Sequence, residues 1–154
     1  MRCTIIGVVT LAIGGAVYVF ARDAGAVYLL PAHLARSITE IGTVIGLLPT
    51  FLHVVAFTML TIAAVNPKSA RACIAIAFGW CAVNMLFEIG QHSSVAPIVA
   101  STVPGSFDAV PLLENLAPYF LNGTFDFADL LAAAIGAAAS VGLVLWLRNT
   151  EKES

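Results

Sequence analysis

The chain has 154 residues, of which 60% are hydrophobic and 10% are charged, and its mean hydropathy is +0.96. An ordinary soluble domain is about half apolar and about a quarter charged, so this composition excludes a soluble enzyme and a disordered chain. The net charge of −2 offers no basic surface, and we therefore expect no nucleic-acid partner. A lipid bilayer is the solvent that this composition fits.

Four apolar segments are long enough to cross a bilayer as helices, which requires about 20 residues each. They cover residues 3–21, 41–65, 72–91 and 125–147. The first resembles a signal peptide in having a charged start, Arg2, but its long apolar stretch favours a true span. The sequence therefore predicts an all-α integral membrane protein in which residues 1–154 form a single four-transmembrane-helix bundle.

Two longer connections fall on the same predicted side of the membrane. Residues 22–40 mix charged and apolar side chains, and their second half is typical of a short helix on the membrane surface. Residues 93–123 are apolar but contain four prolines, which prevent one long helix. We expect this long proline-rich outer loop either to cap the mouth of the bundle or to dock a partner.

Lysine and arginine residues near the span ends predict the orientation, because short cytoplasmic loops carry an excess of them. One side has five, namely Arg2, Lys68, Arg71, Arg148 and Lys152. The other side has two, Arg22 and Arg36, and residues 93–123 contain none. This asymmetry predicts a multi-pass protein whose N- and C-termini are both cytoplasmic.

A few polar side chains interrupt the spans, where such residues are usually paired or functional. They are His53 in the second span, Asn84, Glu88 and Gln91 in the third, and Asp126 and Asp129 at the start of the fourth. Counting back from the span end places the histidine roughly 8–10 Å below the outer boundary. One outer cluster is therefore expected to contain His53, Glu88, Gln91 and Asp129. The alternative is that Asp126 only caps the N-terminus of the fourth helix and that the helix dipole favours Asp129 in its first turn.

Three segments resemble the VanZ-like family of small bacterial membrane proteins. They read PTFLHVVAF, LFEIGQ and GTFDFADLLAAAIGAAAS, and they match the family at His53, Glu88, Gln91, Asp126, Asp129 and Gly136. Five positions depart from the family's acidic, lysine, arginine, asparagine and glycine residues, namely Pro49, Thr50, Gly123, Ala133 and Ser140. The resemblance covers residues 45–147. It implies a divergent member in a bacterial cytoplasmic membrane, within a family that is associated with glycopeptide resistance and has no settled biochemical activity.

Two functional hypotheses fit these features. In the first, an outer-leaflet site acts on or shields an envelope lipid or amphiphile, with His53 transferring a proton and Glu88 or Asp129 as its partner. Gln91, Asp126 and Asn84 are the candidate binding residues. In the second, the chain is a non-catalytic accessory or scaffold subunit of a larger membrane protein complex, and the same residues hold the helices together. We favour a structural role for these polar residues over a catalytic one, and therefore a protein without enzymatic activity.

No metal or cofactor is expected from the sequence. Cys3, Cys73 and Cys81 lie in or beside apolar runs without the C-x-x-C spacing of a metal site, and we interpret them as small buried hydrophobic residues. A metal site formed by His53, Glu88 and Asp129 has acceptable ligand chemistry but lacks a characteristic ligand spacing. The two histidines at positions 53 and 92 differ too much in depth to bind one haem between them.

Overall fold

The computed structural model describes residues 2–21, 43–111 and 113–153, and this part of the chain consists of helices joined by short connections, without a strand. Its six α-helices are α1 (Arg2–Ala21), α2 (Thr43–Val65), α3 (Ala70–Gly90), α4 (Ala96–Thr102), α5 (Leu116–Asn122) and α6 (Phe127–Glu153). Two 3-10 turns, Gly105–Ala109 and Leu113–Asn115, lie between α4 and α5.

Three of these helices are long and apolar enough to cross a membrane, over Leu47–Val65, Ala70–Gly90 and Phe127–Thr150. They correspond to the second, third and fourth predicted spans. The apolar part described for α1, Arg2–Val17, is shorter than a full span. An all-helical protein with three candidate spans is therefore confirmed, and the fourth span of the bundle stays a prediction.

Local sequence explains the sharp connection between α2 and α3. Asn66 adopts a φ of +49° just after α2, and its N–H donates to the carbonyl of Ile62 at 2.9 Å. Asparagine tolerates this left-handed conformation better than most residues, so it ends the helix. Ser69 then caps α3, since its hydroxyl accepts from the N–H of Ala72 at 3.2 Å.

The bundle is built around α2, against which α1, α3 and α6 all pack. α1 runs antiparallel to α2, because Gly7 faces Leu60 whereas Gly14 faces Leu52. Both contacts are close: a Cβ on Gly7 would lie 2.8 Å from Leu60 Cγ, and a Cβ on Gly14 would lie 3.2 Å from Leu52 Cβ. Small residues at such positions let two helix backbones approach closely.

The core establishes the directions of the other two helices. One buried cluster joins the second half of α2 to the start of α3 and the end of α6, and it contains Val55, Met59, Ile62, Cys73 and Val144. The other joins the first half of α2 to the second half of α3 and the first half of α6, and it contains Val54, Cys81, Ala133 and Ala137. α6 therefore runs parallel to α2, and α3 runs antiparallel to both. Cys73 and Cys81 are buried here, as the sequence predicts, whereas Cys3 is only partly buried.

This topology gives the bundle two chemically different ends. The basic end carries Arg2, Lys68, Arg71 and Arg148, which are all the lysine and arginine side chains that the structure describes. The polar end carries Thr50, Glu88, Gln91, Asp126 and Asp129. Arg22 and Arg36, with the surface helix predicted in residues 22–40, lie outside the described residues.

The predicted proline-rich loop folds into short helices at the polar end. Three of its four prolines stand where a missing N–H is tolerated: Pro97 at the start of α4, Pro104 just before the first 3-10 turn and Pro118 in the first turn of α5. α4 and α5 pack against each other. Phe120 fixes them to α3, since its ring stacks on Phe87 at 5.6 Å and fills the space that a Cβ on Gly90 would need.

Candidate functional site

The polar end brings together most of the predicted site residues, because α2 and α6 begin there and α3 ends there. Two interhelical hydrogen-bond systems account for three of them, Glu88, Asp126 and Asp129. A third residue set lines an open depression beside α4. His53 and Asn84 lie deeper in the bundle. These four arrangements differ in what they can do chemically.

Asp129 is joined to α2 by a short hydrogen bond. The hydroxyl of Thr50 donates to Asp129 Oδ1 at 2.7 Å across the α2–α6 contact, in a partly buried position. A charged acceptor makes such a bond stronger than one between neutral groups. The sequence does not single out Thr50 as a site residue, because α2 contains four threonines and nothing in the pattern distinguishes this one. Its position three residues before His53 could only have suggested a polar face.

Glu88 and Asp126 together organise the start of α6. The backbone N–H of Asp126 donates to Glu88 Oε1 at 2.5 Å, and Asp126 Oδ1 in turn accepts from the N–H of Ala128 at 2.8 Å. Helix N-termini have unpaired N–H groups, and carboxylates satisfy both their hydrogen bonding and their dipole. Asp126 is thus an N-cap, as the structural alternative predicted, and Glu88 ties α3 to the same helix start.

Gln91 and His92 form one wall of a depression of about 510 Å³ between the α3–α4 turn and the α5–α6 link. Its remaining lining includes Leu121, Thr124 and Phe125. The Gln91 side chain lies directly against Gly123, where any Cβ would collide with the amide group. Glycine at 123 therefore makes room for Gln91.

His92 is exposed and already uses one ring nitrogen. Its Nδ1 accepts from the N–H of Ser94 at 3.3 Å, and its ring meets Phe125 edge-on with the centroids 5.3 Å apart. A neutral imidazole that accepts at Nδ1 carries its proton on Nε2. This arrangement leaves His92 with a donor for a ligand in the depression.

His53 and Asn84 belong to an aromatic layer inside the bundle. Phe57 stacks on Trp80 at 4.7 Å, and the ring of His53 lies 5.8 Å from Phe57. Trp80 donates through Nε1 to the Thr61 hydroxyl at 2.9 Å. The amide of Asn84 donates to the Trp80 carbonyl of its own helix at 2.9 Å. The Asn84 side chain therefore forms a hydrogen bond within its own helix.

The half-buried His53 faces away from the Asp129 contact. Its Cδ2 lies toward Gly14 of α1, whereas the neighbouring Thr50 and Val54 face α6. Among the described residues, no group of three or more His, Cys, Asp or Glu side chains is arranged to hold a metal ion. The arrangement at the polar end can bind and orient a ligand through hydroxyl, amide and imidazole groups.

Comparison of the chain with protein-family models, with curated proteins and with solved structures found no match.

Proposed function

We propose that this chain is a multi-pass membrane protein that binds and shields an envelope lipid or amphiphile at its polar end. The observation that carries the proposal is the depression of about 510 Å³, whose volume falls within the range of small-molecule sites. Gln91, His92 and Thr124 offer hydrogen bonds on its walls, and Leu121 and Phe125 offer apolar surface. An amphiphile needs both kinds of contact where its headgroup meets its chain.

The surroundings of the depression also fit an amphiphile. Ile98, Leu121 and Phe127 are between 54% and 66% exposed beside it, which is costly in water and favourable next to acyl chains. The hydrogen bonds that Glu88 and Asp129 accept hold together the helix ends that support the depression. We therefore assign these carboxylates a positioning role.

We propose binding without catalysis. Proton transfer by His53 needs a carboxylate partner such as Glu88 or Asp129 within hydrogen-bond reach. The ring contact of His53 is with Phe57, and Asp129 accepts from Thr50 instead. If His53→Ala abolished the cellular phenotype while leaving the folded amount unchanged, the catalytic hypothesis would take precedence.

We further propose a bacterial cytoplasmic membrane, with both termini and the basic end on the cytoplasmic side. The concentration of described cations at one end of the bundle supports this orientation. Kinship with VanZ-like proteins belongs to the same proposal. Its support is that the matching residues Glu88, Gln91, Asp126 and Asp129 gather at one end of the bundle.

Lipid retention tests the proposed site. The full chain in a mild detergent, given an equimolar mixture of phosphatidylethanolamine and phosphatidylglycerol, should retain bound lipid in native mass spectra. Replacing His92 by Ala and Thr124 by Val removes two hydrogen-bonding groups, each worth about 1 kcal/mol, so retention of the zwitterionic phosphatidylethanolamine should fall at least tenfold.

Thr102→Val is the matched control for this variant. Thr102 is exposed on α4 at the same end, and its hydroxyl donates only to the Val99 carbonyl of its own helix, so retention should stay at the wild-type level. Equal retention by the His92/Thr124 variant and the wild type would refute the binding site. A wild-type chain that holds no lipid would do the same.

An accessory or scaffold subunit is the second candidate function. The specific observation is the outward face of α3, where Phe78 is 62% and Leu86 is 66% exposed and a Cβ built on Gly79 would meet no described atom of another element within 4 Å. Such a face accepts either acyl chains or a partner helix. Extraction in a mild detergent, followed by native mass spectrometry, separates the two. A fixed-stoichiometry complex with other chains would favour the subunit, and a mass near 16 kDa or a small multiple of it would favour the self-contained protein.

A further inference from the structure

We propose that the basic end binds the headgroup of an anionic phospholipid through Lys68, Arg71 and Arg2. This site is separate from the depression at the polar end and does not depend on it. At this end of the bundle, Arg148 attaches the end of α6 to the α2–α3 turn.

The side chain of Arg148 in α6 holds the α2–α3 turn in place. Its guanidinium donates to the carbonyl of Lys68 at 2.6 Å and to that of Pro67 at 3.3 Å, and it lies 3.8 Å from Cys73 Sγ. The backbone that carries Lys68 is thereby held against α6. Two residues further along α6, the Thr150 hydroxyl accepts from Arg2 at 3.4 Å. These contacts hold the start of α1 and the α2–α3 turn against the end of α6.

The charges at the basic end are not neutralised by the described carboxylates. All five described acidic side chains belong to the polar end or its α4–α5 segment: Glu88, Asp108, Glu114, Asp126 and Asp129. Lys68 and Arg71 are exposed, and no described ion pair involves them. In sequence, Glu151 and Glu153 and the base Lys152 follow at this end, outside the described side chains.

The cations also stand where the helices disfavour them. Lys68 and Arg71 flank the N-terminus of α3, and Arg2 is the first residue of α1. A helix N-terminus carries partial positive charge, so cations there reduce helix stability, whereas an anion relieves the repulsion. Because three candidate spans reach the basic end, the anion that meets it in a membrane is a lipid phosphate.

Selective lipid retention tests the proposal on the full chain. Native mass spectra are recorded with an equimolar mixture of anionic phosphatidylglycerol and zwitterionic phosphatidylcholine. The wild type should retain the anionic lipid preferentially. Lys68→Gln with Arg71→Gln should lower the ratio of bound phosphatidylglycerol to phosphatidylcholine about tenfold or more, since each charge near the membrane surface contributes roughly fivefold.

Two control variants and one competitor make the outcome decisive. Lys68→Arg with Arg71→Lys keeps both charges and should keep the ratio. Arg36→Gln removes one charge from the other predicted side of the membrane and should also leave it unchanged. An unchanged ratio in the glutamine variant, or an equal fall in Arg36→Gln, would overturn the proposal.

Inorganic phosphate distinguishes a lipid site from a free-anion site. Compared with chloride at equal ionic strength, it should leave the bound phosphatidylglycerol in place, and displacement would show that the site takes the free ion. The thermal midpoint of each variant reports folding, and the single substitutions at Lys68 and Arg71 replace the double one if it does not fold.

Discussion

Gly136→Ala should cause one of the largest losses of stability that a single added methyl group can produce in this chain. A Cβ at this position would lie 2.9 Å from the carbonyl oxygen of Phe51 and 3.2 Å from Val54 Cβ. The nearest obstacle is backbone, which cannot rotate away, so α2 and α6 must separate. Overpacking of this kind costs about 1–3 kcal/mol. Reversible unfolding in detergent, followed by helical circular dichroism, measures the difference.

Gly142→Ala is the control on the same helix. Nothing lies within 4 Å of the Cβ that this substitution adds. Both substitutions exchange glycine for a better helix former, so the free energy of unfolding of Gly142→Ala should match or slightly exceed that of the wild type. Equal stabilities for the two variants would contradict the close approach of α2 and α6.

The sequence predicts the presence of the long helices best, because a segment of about 20 consecutive apolar residues is typical of a membrane-spanning helix. The second, third and fourth predicted segments all correspond to long helices. Their ends shift by a few residues: α6 begins at Phe127 and continues to Glu153. Capping explains the first shift, since Asp126 acts as the N-cap.

Depth along a helix is also predictable, whereas rotation about its axis is not. Residue counting predicts that the third span ends at the depth where the fourth begins. This is correct, since Glu88 accepts a hydrogen bond from the backbone N–H of Asp126. The same counting places His53 near Asp129 in depth, but it does not specify the direction in which the His53 side chain points from its helix. Successive residues turn by about 100°, so His53 points about 60° from Thr50, on the side away from Val54. α1 and α6 pack on different sides of α2, and His53 lies on the side of α1.

The polar depression could not be derived from residue types alone. Four prolines correctly exclude one long helix in residues 93–123, but they do not reveal that α4 and α5 pack together. That packing depends on the fit of Phe120 into the space beside Gly90. Thr124 and Phe125 become lining residues only as a result of it.

Thr50→Val should destabilise the bundle by about 1–2 kcal/mol. It removes the donor of the 2.7 Å bond and leaves the Asp129 carboxylate without it in a partly buried position. Thr50→Ser keeps the hydroxyl and should restore most of the stability. Thr58→Val is the matched control on the same helix. Thr58 is fully buried and its hydroxyl has no hydrogen-bond partner among the described residues, so valine should be neutral or stabilising.

A double-mutant cycle separates the Thr50–Asp129 bond from the general effects of each change. Asp129→Ala should also destabilise, but the double variant should lose about 1 kcal/mol less than the sum of the single losses, because both remove the same bond. Denaturant titration of the four proteins in one detergent provides the free energies. Strict additivity would show that Thr50 and Asp129 act independently. A positive coupling would establish that this carboxylate, grouped with His53 as a catalytic candidate, serves to hold α6 against α2 at the polar end.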